Sequence, residues 1–111
     1  MPEWTIEATS ESYTSLPDWE AMLERLRLEL LADRRITLPH AAVHAGAFNA
    51  TFNASASSEE EARALGSDVF LGALTVVFLG LLYPDGPPGR TVLTPMRPAV
   101  ACVEARPAEN G

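Results

Sequence analysis

Two histidines, one cysteine and a set of short polar side chains are the residues here whose types admit chemistry. His40 and His44 stand four apart, so on a strand they share a face. A zinc site needs a third ligand and partners that orient the ligands. The residues between them are Ala41, Ala42 and Val43, without the glutamate of the helical metalloprotease pattern. A general base needs a neighbouring carboxylate and a cleft, and the sequence places neither beside these histidines. Cys102 stands among small apolar residues and reads as a buried, inert thiol. No serine has a nucleophile-elbow context. Gly66, Gly72 and Gly80 are too widely spaced for a phosphate loop and are expected to permit close helix packing against the sheet or a partner. No metal or cofactor is expected.

Composition narrows the remaining classes. The chain has 111 residues, 47% hydrophobic and 21% charged, as in a soluble globular domain. Net charge is −7, and all eight basic residues are arginines, scattered with no stripe longer than Arg34-Arg35. Nucleic-acid binding, which requires clustered cations, is therefore excluded. A single cysteine rules out an internal disulfide and fits a reducing compartment. Met1-Pro2-Glu3-Trp4 has neither the basic nor the apolar region of a signal peptide, so a cytoplasmic address is expected.

The elements that would carry these residues follow from periodicity. Trp4–Thr9 alternates with Trp4, Ile6 and Ala8 on one side, as in a half-buried strand. Ser15 with Asp18 resembles a capping box opening a helix over Leu16–Ala32, whose inner face is Trp19, Met22, Leu23, Leu26 and Leu30. Pro39 biases Leu38 to extended geometry. Ala41–Ala45 reads as a short strand, Gly46 as a turn and Ala47–Ser57 as the best-alternating strand. There Phe48, Ala50, Phe52, Ala54 and Ala56 point inward. Ser58 with Glu61 caps a second helix from Glu59 to about Leu82, which stops at Tyr83-Pro84-Asp85-Gly86. Thr91–Thr94 and Ala99–Ala105 are extended, and Pro95 and Pro98 confine them to a sheet edge.

The order strand, helix, strand, strand, helix, strand resembles the ferredoxin-like βαββαβ plait. That implies an α+β fold with a four-stranded antiparallel sheet and two helices on one face. Residues 1–106 are expected to form one domain, with 107–111 a flexible tail. The open sheet face would carry Thr5, Glu7, Thr9, Asn49, Thr51, Asn53 and Ser55. It lacks the aromatics and cations of RNA-binding plaits. Glu7, His44, Asn49, Thr51 and Asn53 form the possible ligand face.

The stretch Val69–Leu82 holds no charge and one polar residue, Thr75. A buried strand over Val76–Tyr83 is one reading of it. A membrane span is disfavoured, because about 14 residues fall short of the ~20 required. A helix at 100° per residue places Ala62, Leu65, Val69, Ala73, Val76, Val77 and Gly80 on the core side. Leu71, Leu74, Phe78 and Leu81 then face outward as a contiguous apolar patch, which soluble monomers rarely tolerate. The expected function is accordingly a non-enzymatic association module, a homodimer or a subunit docked on a protein partner. A ligand-binding or cofactor-independent enzymatic site between protomers is the alternative, and a membrane-associated accessory protein the third.

Overall fold

The computed structural model describes residues 1–13, 18–82 and 98–108, the side chains of 80–82 excepted. The expected cap at Ser15, the turn from Tyr83, the piece Thr91–Thr94 and residues 109–111 lie outside these. The described elements run β1 (Glu3–Ser10), α1 (Trp19–Ala32), β2 (Thr37–His44), β3 (Ala47–Ser55), α2 (Glu59–Leu82) and β4 (Val100–Pro107). The class is α+β: a four-stranded antiparallel sheet ordered β2-β3-β1-β4, with two helices. Both neighbours of β3, and both neighbours of β1, run antiparallel to it. Each helix therefore links two strands that are mutually parallel and separated by one other, a connection that needs a long crossover.

One core forms on the helix side of the sheet. Ile6 and Ala8 of β1 and Phe48, Ala50, Phe52 and Ala54 of β3 meet Met22, Leu26 and Leu30 of α1. Trp19 and Leu23 pack partly buried at its margin, while Leu28 and Leu31 stay exposed. At one end, the Trp4 indole N–H donates to the Ala56 carbonyl at 3.0 Å. At the other, the Tyr13 ring lies 5.2 Å from that of Phe78, and its hydroxyl accepts from the Ala99 N–H. Ser10, buried among apolar neighbours, accepts from the Phe48 N–H and donates to the Glu11 carbonyl, so its hydroxyl is satisfied.

Several boundaries differ from the sequence-based expectation. Helix α1 begins at Trp19 because the Asp18 carboxylate itself caps it, accepting from the Ala21 N–H at 3.0 Å. Helix α2 starts as expected: Ser58 Oγ accepts from the Glu61 N–H, while the Glu61 carboxylate accepts from the Ser57 hydroxyl. Strand β4 extends through Pro107, which pairs with Trp4, so the expected tail begins inside the sheet. Ala45 belongs to the turn. Ala45 and Gly46 both have positive φ (52° and 77°), which identifies the two-residue type I′ hairpin turn.

Strand β2 begins four residues earlier than expected, and Leu38 is left-handed (φ 52°) rather than extended. The register explains both. His40 lies opposite Thr51, but Thr37 lies opposite Asn53, so Leu38 and Pro39 together face the single residue Phe52. This is a β-bulge. Pro39 is tolerated because β2 is an edge strand. The left-handed leucine costs roughly 1–2 kcal/mol.

Candidate functional site

Helix α2 buries a face that shares Ala62, Val69, Ala73 and Val77 with the expected stripe but is rotated from it. Gly66, Val69, Phe70, Ala73, Leu74, Val77 and Phe78 are buried, centred roughly 60° around the helix from the expected stripe. Leu74 and Phe78, expected at a partner interface, are 0% and 2% exposed and belong to the core. Leu65 and Val76, expected in the core, are only partly covered. The signal that fixes the rotation is Gly66. A Cβ there would lie 2.5 Å from Ile6 Cγ2, so the bare glycine marks where the helix backbone descends onto β1. The apolar second half of α2 has no polar side from which periodicity alone could orient it.

What remains outside is a narrower strip. Leu71 and Leu79 are 40% and 48% exposed, with Gly72 and Thr75 between them. Thr75 Oγ1 donates to the Leu71 carbonyl at 2.7 Å, so its hydroxyl is satisfied within the helix. A Cβ on Gly72 would meet nothing within 4 Å, unlike Gly66, so Gly72 makes no close approach to the sheet. Beside it, Ala32, Val69, Gly72 and Ala73 floor a shallow valley between the helices, rimmed by Glu29, Asp33 and Arg35. The Leu81 side chain is outside the described set. The stretch Glu59–Leu79 is long and apolar enough to cross a membrane by length and composition. Yet Phe70, Leu74 and Phe78 within it are core side chains that insertion would have to extract.

The open sheet face is polar and orderly. Thr5 Oγ1 donates to Asn53 Oδ1 at 2.9 Å, and Thr9 Oγ1 donates to Asn49 Oδ1 at 2.7 Å. These cross-strand bonds between the central strands occupy the asparagine carbonyl oxygens and leave their amide N–H groups outward. Glu7 lies directly opposite Thr51 on one side and Glu104 on the other, a mildly unfavourable pairing of like charges. His40, opposite Thr51, completes that row two strands from Glu7, about 10 Å away.

His44 stands opposite Ala47 at the hairpin end, apart from the row that holds the carboxylates. No histidine makes an ion pair among the described residues. The possible ligand face thus divides: Glu7, Asn49, Thr51 and Asn53 are contiguous, and His44 is peripheral. Cys102, expected buried, is exposed on this face opposite Thr9, because alternation along β4 sends Val103 and Ala105 inward and Cys102, Glu104 and Arg106 outward. Among the described residues, no three His, Cys, Asp or Glu side chains gather as a metal-holding group.

A hydrogen-bonded ion-pair cluster lies away from this face. Asp33, at the C-cap of α1, accepts from the Arg35 backbone N–H at 2.9 Å and from its guanidinium at 3.0 and 2.8 Å. These hydrogen bonds hold the Asp33 carboxyl below the usual carboxylate range against the opposing desolvation. Arg35 also reaches Asp68 of α2 at 3.5 Å, tying the two helices together. No protein-family model matches the chain, and no curated protein or solved structure shows a significant similarity to it.

Proposed function

We propose that the chain is a ferredoxin-like plait acting by association rather than catalysis, as a homodimer or as a subunit on a larger protein partner. The plait reading is supported by the element order and by β1 and β3 being the inner strands. The association reading rests on one observation. The outward strip Leu71–Gly72–Thr75–Leu79 presents two half-exposed leucines, one hydroxyl satisfied in the helix and a bare backbone notch, with no charge beyond Asp68. Burying such a strip against another surface stabilises a complex by ~25 cal/mol per Å² of apolar area before association costs. A cytoplasmic address belongs to the proposal, supported by the single, exposed, free thiol.

Light scattering over a range of concentrations tests it. The wild type is expected above monomer mass, and Leu79→Arg is expected to be a folded monomer. A wild-type chain that stays monomeric and captures no partner refutes association. Recovery only in detergent turns the reading to a membrane-associated protein.

A further inference from the structure

We infer that the notch where β2 begins beside the end of β3 is a binding site for a small carboxylate-bearing molecule. This inference does not depend on the association proposed above. Strand β3 runs two residues past the start of β2, since Thr37 lies opposite Asn53 and β3 continues to Ser55. The gap is a depression of about 420 Å³, within the range of small-molecule sites. Glu3, Arg34, Arg35, Thr37, Asn53 and Ser55 line it, with Leu65 and Ala54 as its apolar part.

Apart from Glu3 and the committed Arg35, its polar lining is donor-rich and unspent. Arg34 makes no ion pair or hydrogen bond among the described residues, whereas its neighbour Arg35 is committed to Asp33 and Asp68. The Thr37 and Ser55 hydroxyls have no partner among the described residues either. Asn53 spends its carbonyl oxygen on Thr5 and keeps its N–H groups. A guanidinium fork, two hydroxyls and an amide N–H form a recognition set for an oxyanion, with Arg pairing a carboxylate through two parallel bonds. Glu3 and the net charge of −7 favour a monoanion over a phosphate dianion. Leu65 takes an apolar body.

The bulge in β2 is an independent observation pointing to the same place. Continued without the bulge, the register of His40–His44 would set Leu38 opposite Asn53. The bulge sets Thr37 there instead, at the expense of a left-handed leucine. Bulges re-aim side chains beside functional sites, and strain retained in a fold marks positions that serve something besides stability.

The test is a titration of the ¹⁵N-labelled chain with sodium benzoate and, separately, with inorganic phosphate, followed by amide shifts. Benzoate is expected to give saturable shifts at residues 34, 37, 53 and 55, with a Kd on the order of millimolar. Arg34→Gln, an exposed substitution, should weaken binding about tenfold or more, Glu3→Gln should tighten it, and Arg25→Gln on α1 should change nothing. The absence of saturable shifts, equal binding by Arg34→Gln, or tighter binding of phosphate than of benzoate would overturn the inference.

Discussion

Replacing Gly66 by alanine should destabilise this protein, although the same change at Gly72, six residues along α2, should stabilise it. Alanine is favoured over glycine in a helix interior by ~0.8–1.0 kcal/mol, and that gain is common to both sites. The difference lies in what the new methyl meets. At Gly66 it would stand 2.5 Å from Ile6 Cγ2 and 3.3 Å from Val103 Cγ1. Ile6 is wholly buried on an inner strand and cannot swing away, so helix and sheet must separate. Overpacking of this kind costs about 1–3 kcal/mol, and the net loss is expected at roughly 0–2 kcal/mol after the propensity gain. At Gly72 nothing lies within 4 Å, and the propensity term acts alone. Thermal and urea unfolding followed by circular dichroism, at concentrations where the chain is monomeric, resolves both. Each kcal/mol corresponds to roughly 4–8 °C in Tm for a domain near this size. In a double-mutant cycle, Ile6→Ala should cost less in the Gly66→Ala background than alone. If Gly66→Ala raises Tm, or the two variants shift together, Gly66 does not set the approach of α2 to the sheet.

Three further outcomes follow from particular contacts. Ala45→Asn should stabilise by about 0.5–1 kcal/mol, read as a Tm increase, because asparagine accepts the left-handed conformation that the type I′ turn imposes on Ala45 (φ 52°). Phe78→Arg should abolish cooperative unfolding, since truncating a buried aromatic already costs about 3–5 kcal/mol and a buried charge adds to it, whereas Leu79→Arg should keep native circular dichroism. Because Arg35 holds the Asp33 pKa below its unfolded value, the pair contributes stability above the unfolded pKa and loses it as pH falls through the folded one. Urea midpoints of wild type and Asp33→Asn should therefore differ by no more than ~1 kcal/mol at neutral pH and converge in acid, Arg35 being half exposed.

The possible ligand face was only partly legible. Alternation placed Glu7, Asn49, Thr51 and Asn53 on one side of the central strands, and the Thr–Asn bonds between them follow from that register. Sequence spacing joined His44 to them because residues of equal parity share a face, but distance along the strand leaves it at the hairpin end. The notch at Arg34, Thr37 and Ser55 had no local signature. Those residues come from two separated stretches, and a bulge that no periodicity announces sets which of them faces Asn53.

The sequence by itself determined the six described elements and their order, because periods of two and 3.6, the Ser58 cap and the turn at Gly46 are local properties of the chain. It also determined the inner face of β3 and the inner side of α1, where polar residues mark the opposite side. Only the tertiary structure decided which way α2 faces and hence that Leu74 and Phe78 are core while Leu71 and Leu79 are surface. A helix segment apolar all round carries no preferred orientation of its own. Its rotation is set by the closest approach available to the backbone, and here that is Gly66 against Ile6.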